Sequence, residues 1–215
     1  MKPGPRRSIS QADIVDSAFE ILEQKGFAAV SVRGVAAALG LTPTAMYTYF
    51  PSKNALLRAM VEQVLSTLDL DAASDPEVPW RDRVHALAAE LRARLAEHTG
   101  AMVLVTSGPL DGPHARALGE TLIAGFTGER MPLADAARAA HAVRAHVLGA
   151  AALDAAERAG EASGAAELTP LWSEATAYPL TEAADALGVD DDAGFGWALD
   201  RLLDGIAIGA ESAAH

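Results

Sequence analysis

The segment Ser31–Lys53, S-V-R-G-V-A-A-A-L-G-L-T-P-T-A-M-Y-T-Y-F-P-S-K, constrains this chain more than any other. Ser31 is a good N-cap, and Val32, Val35, Ala36 and Leu39 recur on one face of a two-turn helix. Gly40 can take the positive φ that a sharp turn needs. Thr42 caps the next helix, and Pro43 takes its first position, where a missing N–H costs little. Phe50-Pro51 ends that helix, because a residue before proline avoids the α region. The pattern predicts two short helices joined by a tight turn. Ala36 sits where the helices cross, and a larger side chain there would push them apart. Val35, Leu39, Leu41 and Met46 form the small core that holds the angle. This geometry lets a second helix enter a major groove while the first lies across the backbone.

The flanking sequence is helical as well. Ser10 with Asp13 makes a variant capping box ahead of Ile14, Ala18, Phe19 and Leu22, and Gly26 fits a left-handed C-cap. Ser52 caps a long helix through Leu56, Leu57, Met60, Val61, Val64 and Leu68. Asp69 to Pro79 reads as an acidic, proline-bearing connector. An amphipathic helix is expected over Trp80–His98, with Val84, Leu87, Leu91 and Leu95 on its apolar face. Helical neighbours favour helix for the apolar run Ala101–Thr106, and a further helix ends at Gly128. An alanine-rich helix runs from Pro132 to about Ala159. Its small side chains suit close packing, including against a second subunit. Short helices are expected around Trp172 and Tyr178, an acidic break over Gly188–Gly194, and a last helix over Phe195–Ala210. No internal repeat and no hairpin pattern of strands appears. Only 5% of residues are aromatic while half are hydrophobic, a balance that favours helix over sheet.

Charge is unevenly distributed. Residues 1–58 carry seven basic and four acidic side chains, a net of +3, so the rest of the chain must hold −15 of the total of −12. A mildly basic head on an acidic body suits local phosphate contact with the body repelled from DNA. The acidic surface also keeps an alanine-rich protein soluble. The chain has no cysteine, which excludes disulfides and thiolate metal sites. The start, M-K-P-G-P-R-R-S, lacks the apolar core of a signal peptide. No run of about 18 uncharged apolar residues appears, as a membrane span would need. The expectation is a cytoplasmic protein with no membrane partner. His141 and His146 are five apart on one helix, poor geometry for one metal, and His85, His98 and His114 lie on separate segments. With no H-E-x-x-H, C-x-x-C or G-x-S-x-G motif, no metal, no cofactor and no catalytic residue is expected.

The segment from about Ser10 to Met60, with V-R-G-V-A-A-A-L-G-L-T-P-T-A-M-Y-T-Y-F-P-S-K-N-A-L-L at its centre, resembles the tetracycline-repressor (TetR) family of bacterial transcriptional regulators. Tyr47, Phe50, Ser52, Lys53 and Leu56 fall on the family's spacing. A weaker match continues through Trp80, Gly100-Ala101 and Leu148-Gly149 to G-F-G-W-A-L-D-R-L-L-D-G-I at Gly194–Ile206. The resemblance implies an all-α chain with two domains. A three-helix helix-turn-helix domain occupies residues 1–56, and a helical ligand-binding and dimerisation domain occupies residues 57–215.

The resemblance also implies roles for individual residues. Thr42, Pro43, Thr44 and Ala45 start the recognition helix, where hydroxyls can bond base edges and the ring and methyls can touch a thymine methyl. Tyr47, Thr48, Tyr49, Lys53, Ser31 and Arg33 are candidates for phosphate contact, which positions without reading sequence. Arg6 and Arg7 add electrostatic affinity. The C-terminal helices would enclose a mostly apolar ligand cavity, with Leu87, Leu91, Leu104, Ser107, Thr121, His146 and Trp172 as candidate lining. Tetracycline repressors hold a metal-chelated drug with a histidine and a glutamate. Leu104 and Leu153 stand at those places, which points instead to an uncharged or weakly polar organic molecule. The implied partners are double-stranded operator DNA bearing an inverted repeat, a small organic effector, and a second copy paired through Pro132–Ala159 and Phe195–Ala210. A repressor released by its ligand is the leading expectation. The alternatives are an activator, an architectural DNA binder without a ligand, and an enzyme or carrier with an incidental helix-turn-helix.

Overall fold

A computed structural model describes residues 9–97, 104–105, 110–128, 131–162, 179–180, 183, 187 and 192–213. The expectations for Arg6, Arg7 and Gly100-Ala101, and for the helices around Trp172 and Tyr178, fall outside these residues. The chain is all-α, and no strand occurs among the described residues. Its helices are α1 (Gln11–Lys25), α2 (Val32–Ala38), α3 (Pro43–Tyr49), α4 (Lys53–Leu65), α5 (Trp80–Ala96), α6 (Pro113–Gly128), α7 (Leu133–Ala162) and α8 (Asp192–Ala213), with short 3-10 turns at Phe27–Ala29 and Ala72–Ser74. The chain divides into two compact units. One comprises Met1–Leu68 and Ala93–Leu118, the other Asp69–Arg92 and Gly119–His215.

In the first unit, α1 starts as the capping box requires. The Ser10 hydroxyl accepts the Asp13 N–H at 3.1 Å, and the Asp13 carboxylate accepts the Ser10 N–H at 2.7 Å. Gly26 ends α1 with φ +76° and ψ 171°. The φ is positive as expected, but ψ is extended rather than left-handed helical, so the chain leaves straight into the 3-10 turn. The turn between α2 and α3 closes as a Schellman motif: the Leu41 N–H donates to the Ala36 carbonyl at 2.8 Å, and the Gly40 N–H to the Ala37 carbonyl at 3.3 Å. Gly40 sits at φ +65°. Seven residues are too few for a helix to persist alone in water, so α3 depends on tertiary anchoring. Met46, fully buried, and Phe50 at its C-cap supply it. They join a core with Ile14, Leu22, Val35, Leu56 and Met60.

Helix α4 ends at Leu65 rather than at Leu68. The Ser66 and Thr67 hydroxyls donate to the carbonyls of Gln63 and Val64, each at 2.8 Å, and tighten the last turn. Along its length α4 is bonded to the start of α6. Arg58 forms a bidentate pair with Asp111 at 2.6 and 2.9 Å. The Glu62 carboxylate accepts the backbone N–H groups of His114 and Ala115 at 2.7 and 3.1 Å, satisfying two of the orphan donors at that helix N-terminus. The hydrogen bond from Arg58 holds the Asp111 carboxyl below its ordinary range. Its contribution to stability is therefore present above that range and is lost below it, as the pH falls toward the lowered value.

In the second unit, α7 and α8 pack on each other. Helix α7 buries four alanines, Ala136, Ala139, Ala140 and Ala151, with Val143 and Val147, which permits close approach. Polar pairs join α5 to α8: Arg81 with Asp204, His85 with Asp200 at 2.9 Å, and Arg92 with Asp192 at 2.9 Å. The partner number falls along α8 as it rises along α5, so the two helices run antiparallel. Arg92 also holds Asp154 of α7 through two bonds of 2.8 and 3.0 Å, and its guanidinium lies 4.8 Å from the Phe195 ring centroid. Helix α8 begins at Asp192, three residues ahead of the expected Phe195. An acidic side chain in the first turn favours that start.

A Cβ at Gly40 would meet no atom within 4 Å, so substitution there is opposed by the backbone angle alone. Gly40→Ala is expected to lower unfolding stability by about 1 kcal/mol, read from the urea midpoint at unchanged slope.

Candidate nucleic-acid interface

Helix α3 has two unlike faces. Met46 and the C-cap Phe50 point into the core, while Thr42, Pro43, Thr44, Tyr47 and Thr48 are exposed and Ala45 is half-buried. The exposed face is built from two hydroxyls of limited freedom and several free groups. The Thr42 hydroxyl accepts the Ala45 N–H at 3.2 Å as the N-cap, and the Thr48 hydroxyl donates to the Ala45 carbonyl at 2.6 Å. The Thr44 hydroxyl and the Tyr47 phenol have no hydrogen-bond partner among the described residues, and Tyr47 is 44% exposed. The free face therefore offers one short hydroxyl, methyl groups, a proline ring and one phenol. No arginine, asparagine or glutamine stands on it to read a base with two bonds.

Tyr49 is arranged differently from Tyr47. Its hydroxyl donates to the Ile9 carbonyl at 3.1 Å, and its own carbonyl accepts from the Gln11 side chain at 3.3 Å. It ties α3 to the chain just ahead of α1. This tie is not legible in the sequence, since the residues bonded are 38 and 40 positions apart. Three more candidates lie at other helix starts. Ser31 is the N-cap of α2 and accepts the Gly34 N–H at 3.0 Å. Arg33, in the first turn of α2, is exposed and has no carboxylate partner among the described residues. Lys53 opens α4, and its ammonium lies 4.9 Å from the Phe27 ring centroid, a cation–π contact that fixes the side chain.

The candidate ligand residues are scattered. Leu87 and Thr121 line one cleft of the second unit, together with Ala73, Trp80, Arg83, Val84, Leu122 and Gly125. Leu91 is a buried core residue outside that lining, and Leu104 is fully buried in the first unit. The His146 ring stacks on Phe195 with centroids 4.8 Å apart, its Nε2 lying 3.3 Å from the Phe195 carbonyl. Ser107 and Trp172 lie outside the described residues. Trp80 and Arg83 escaped the sequence reading because periodicity marks the apolar stripe of α5 and leaves the arginine beside it looking like a solvated charge. Among the described residues no cluster of three metal-ligating side chains occurs, and no helix is long and apolar enough to cross a membrane.

Comparison with known proteins decides the classification. A family profile described as bacterial regulatory proteins, tetR family, matches residues 14–60, and one described as tetracyclin repressor-like, C-terminal domain, matches residues 73–209. The chain belongs to the tetR family. As a member it is a helix-turn-helix transcriptional regulator. Among its relatives, an HTH-type transcriptional regulator of Saccharopolyspora erythraea is 31% identical over 73% of this chain, a stretch that spans 65% of that relative's own length. The HTH-type transcriptional repressor DrrR1 of Streptomyces coeruleorubidus is 27% identical over 95% of this chain and 80% of its own. The crystal structure of Mycobacterium smegmatis BioQ is similar at a TM-score of 0.73 and 26% identity, covering 94% of this chain and 99% of that one.

The two tyrosines of α3 should separate in a stability measurement. Tyr49→Phe is expected to lower unfolding stability by about 1 kcal/mol through loss of the bond to Ile9. Tyr47→Phe should leave it within about 0.5 kcal/mol, both read from urea denaturation of the full chain.

Proposed function

We propose that the protein is a cytoplasmic homodimeric repressor that grips an inverted-repeat operator and releases it when a small organic molecule binds. The observation that carries this reading is the outward face of α3, presented by a helix whose other face is anchored in the core. In this reading residues 1–56 form the DNA-reading head, and residues 57–215 bind ligand and dimerise. Thr44, Pro43 and Ala45 meet base edges in the major groove with Thr42 and Thr48 beside them. Tyr47, Lys53, Arg33 and Ser31 meet phosphates. Tyr49 acts by fixing the attitude of α3 through its hydroxyl's bond to Ile9 rather than by meeting a phosphate. With no bidentate reader on that face, much of the sequence preference comes from DNA shape.

Dimerisation through α7 and α8 is supported by what these helices leave uncovered. Leu133, Leu153 and Trp197 are each about two-thirds exposed, at 68%, 67% and 66%. Leu133, Ala137, His141, Ala145, Gly149 and Leu153 recur every fourth residue as an exposed stripe of α7. An apolar face of this kind on two packed helices calls for a matching face, and a two-fold axis supplies one. A two-fold dimer then reads two half-sites related by inversion.

Release requires a ligand that prefers one setting of the fold. Helix α6 is suited to carry that preference. Its first turn is held by Glu62 of α4, and Thr121, Leu122 and Gly125 further along it line the cleft. The repressor sign rests on relatives such as DrrR1 that are named repressors.

The reading is tested by fluorescence-anisotropy titration of the full chain on its own promoter DNA across a range of salt concentrations. A steep fall of affinity with salt is expected, together with a preference over scrambled DNA. Lys53→Met should reduce the slope of log K against log salt by about 1 per bound head. A salt-insensitive or preference-free isotherm would contradict the regulator reading.

A further inference from the structure

We propose that the cleft of the second unit binds a small organic anion, a single-ring carboxylate in size and charge, with Arg83 as the group that receives its negative end. The inference rests on the reading of this half of the chain as ligand-binding, and it differs from the uncharged or weakly polar molecule expected from the sequence.

The argument starts from helix α5, whose faces are used differently. Arg81, His85 and Arg92 each meet a carboxylate, through Asp204, Asp200 and the Asp154–Asp192 pair. Arg83, on the same helix, meets none. Its Nε is sealed from solvent and has no hydrogen-bond partner, and no carboxylate pairs with its guanidinium among the described residues. A buried N–H on a permanent cation is costly when no acceptor reaches it. The omission is notable in a chain with 29 acidic residues against 17 lysines and arginines. Carboxylates are plentiful, and three from α8 alone, Asp192, Asp200 and Asp204, pair with Arg92, His85 and Arg81 of α5.

The surroundings specify the rest of the ligand. Apart from Arg83 and Thr121, the lining is apolar: Ala73, Trp80, Val84, Leu87, Leu122 and Gly125. The Trp80 ring is fixed as a wall, packed edge-on to Phe126 with centroids 5.6 Å apart and with the Arg81 guanidinium 5.5 Å from its centre. The Thr121 hydroxyl has no hydrogen-bond partner among the described residues, so it can donate to an anion beside Arg83. Gly125 adds no side chain to the floor. An apolar slot with a few polar groups in its lining is the usual form of a small-molecule site, and a guanidinium with a hydroxyl in the same lining matches a carboxylate in particular. The cleft is shallow, its enclosed part about 10 Å³ or room for one water, so the carboxylate end enters it while the ring rests at the open mouth.

The test is isothermal titration of the full-length protein at fixed ionic strength with benzoate, salicylate and phenylacetate, each paired with its uncharged amide. At least one acid is expected to bind about tenfold more tightly than its amide, an advantage that Arg83→Met reduces to about twofold and Arg83→Lys retains in part. Thr121→Val should weaken the same acid about threefold, and it serves as the second variant if Arg83→Met unfolds. Amides binding as well as acids, a Met variant that keeps the acid preference, or a panel in which no acid binds at millimolar concentration would each overturn the inference. The ligand-free DNA titration is scored separately. If operator binding persists while the acids fail, only the anion assignment falls. If operator binding itself is absent, the regulator reading falls with it.

Discussion

The turn at Gly40 is the constraint on which the rest of the molecule depends. A seven-residue helix has no stability of its own in water, so α3 exists because something else fixes both its ends. One end is set by the bond from Leu41 to Ala36, which closes only when residue 40 has a positive φ. The other is set by Phe50 in the core and by the Tyr49 hydroxyl on Ile9. Met46 holds the middle. With these restraints in place the opposite face is exposed and rigid, so the entropy of ordering it is lost on folding rather than on meeting DNA.

The two compact units solve different physical problems. The first must hold a small reading surface at a fixed angle, and it does so with a tight aliphatic core and side-chain caps at Ser10, Ser31, Thr42 and Ser52. The second is built from alanine-rich helices whose small residues give little packing specificity. Register between α5 and α8 is set instead by polar pairs, Arg81–Asp204, His85–Asp200 and Arg92–Asp192, and Arg92 also ties α5 to α7 through Asp154. The more exposed of these pairs add modestly to stability, but together they fix which turn of one helix faces which turn of the next. Against that background Arg83, partly buried, has no acid partner among the described residues.

Much of this was legible in the sequence, for local reasons. Caps, the glycine turn and the proline stop act within four residues of themselves, so Ser10, Gly40, Thr42-Pro43 and Phe50-Pro51 declared α1 to α3 directly. Helix ends were less legible where competing local bonds decided them, as when Ser66 and Thr67 shortened α4 or Asp192 extended α8. Long-range ties were not legible at all. Tyr49 reads as a surface phenol until its hydroxyl is seen on Ile9. Trp80 and Arg83 declare a cleft only when Thr121 and Gly125, some forty residues later, are placed beside them. Periodicity finds faces, but it does not say which faces meet or which charge has been left unpaired.

The central claim is that the outward face of α3 reads DNA sequence. Selection of bound fragments from random duplex DNA, run in parallel with the natural protein and with Thr44→Ala, tests it most directly. The account predicts an inverted repeat for the natural protein and, for the variant, a changed base preference confined to symmetry-related positions in the two half-sites. Enrichment of an identical motif by both proteins, or of none by the natural chain, would contradict it.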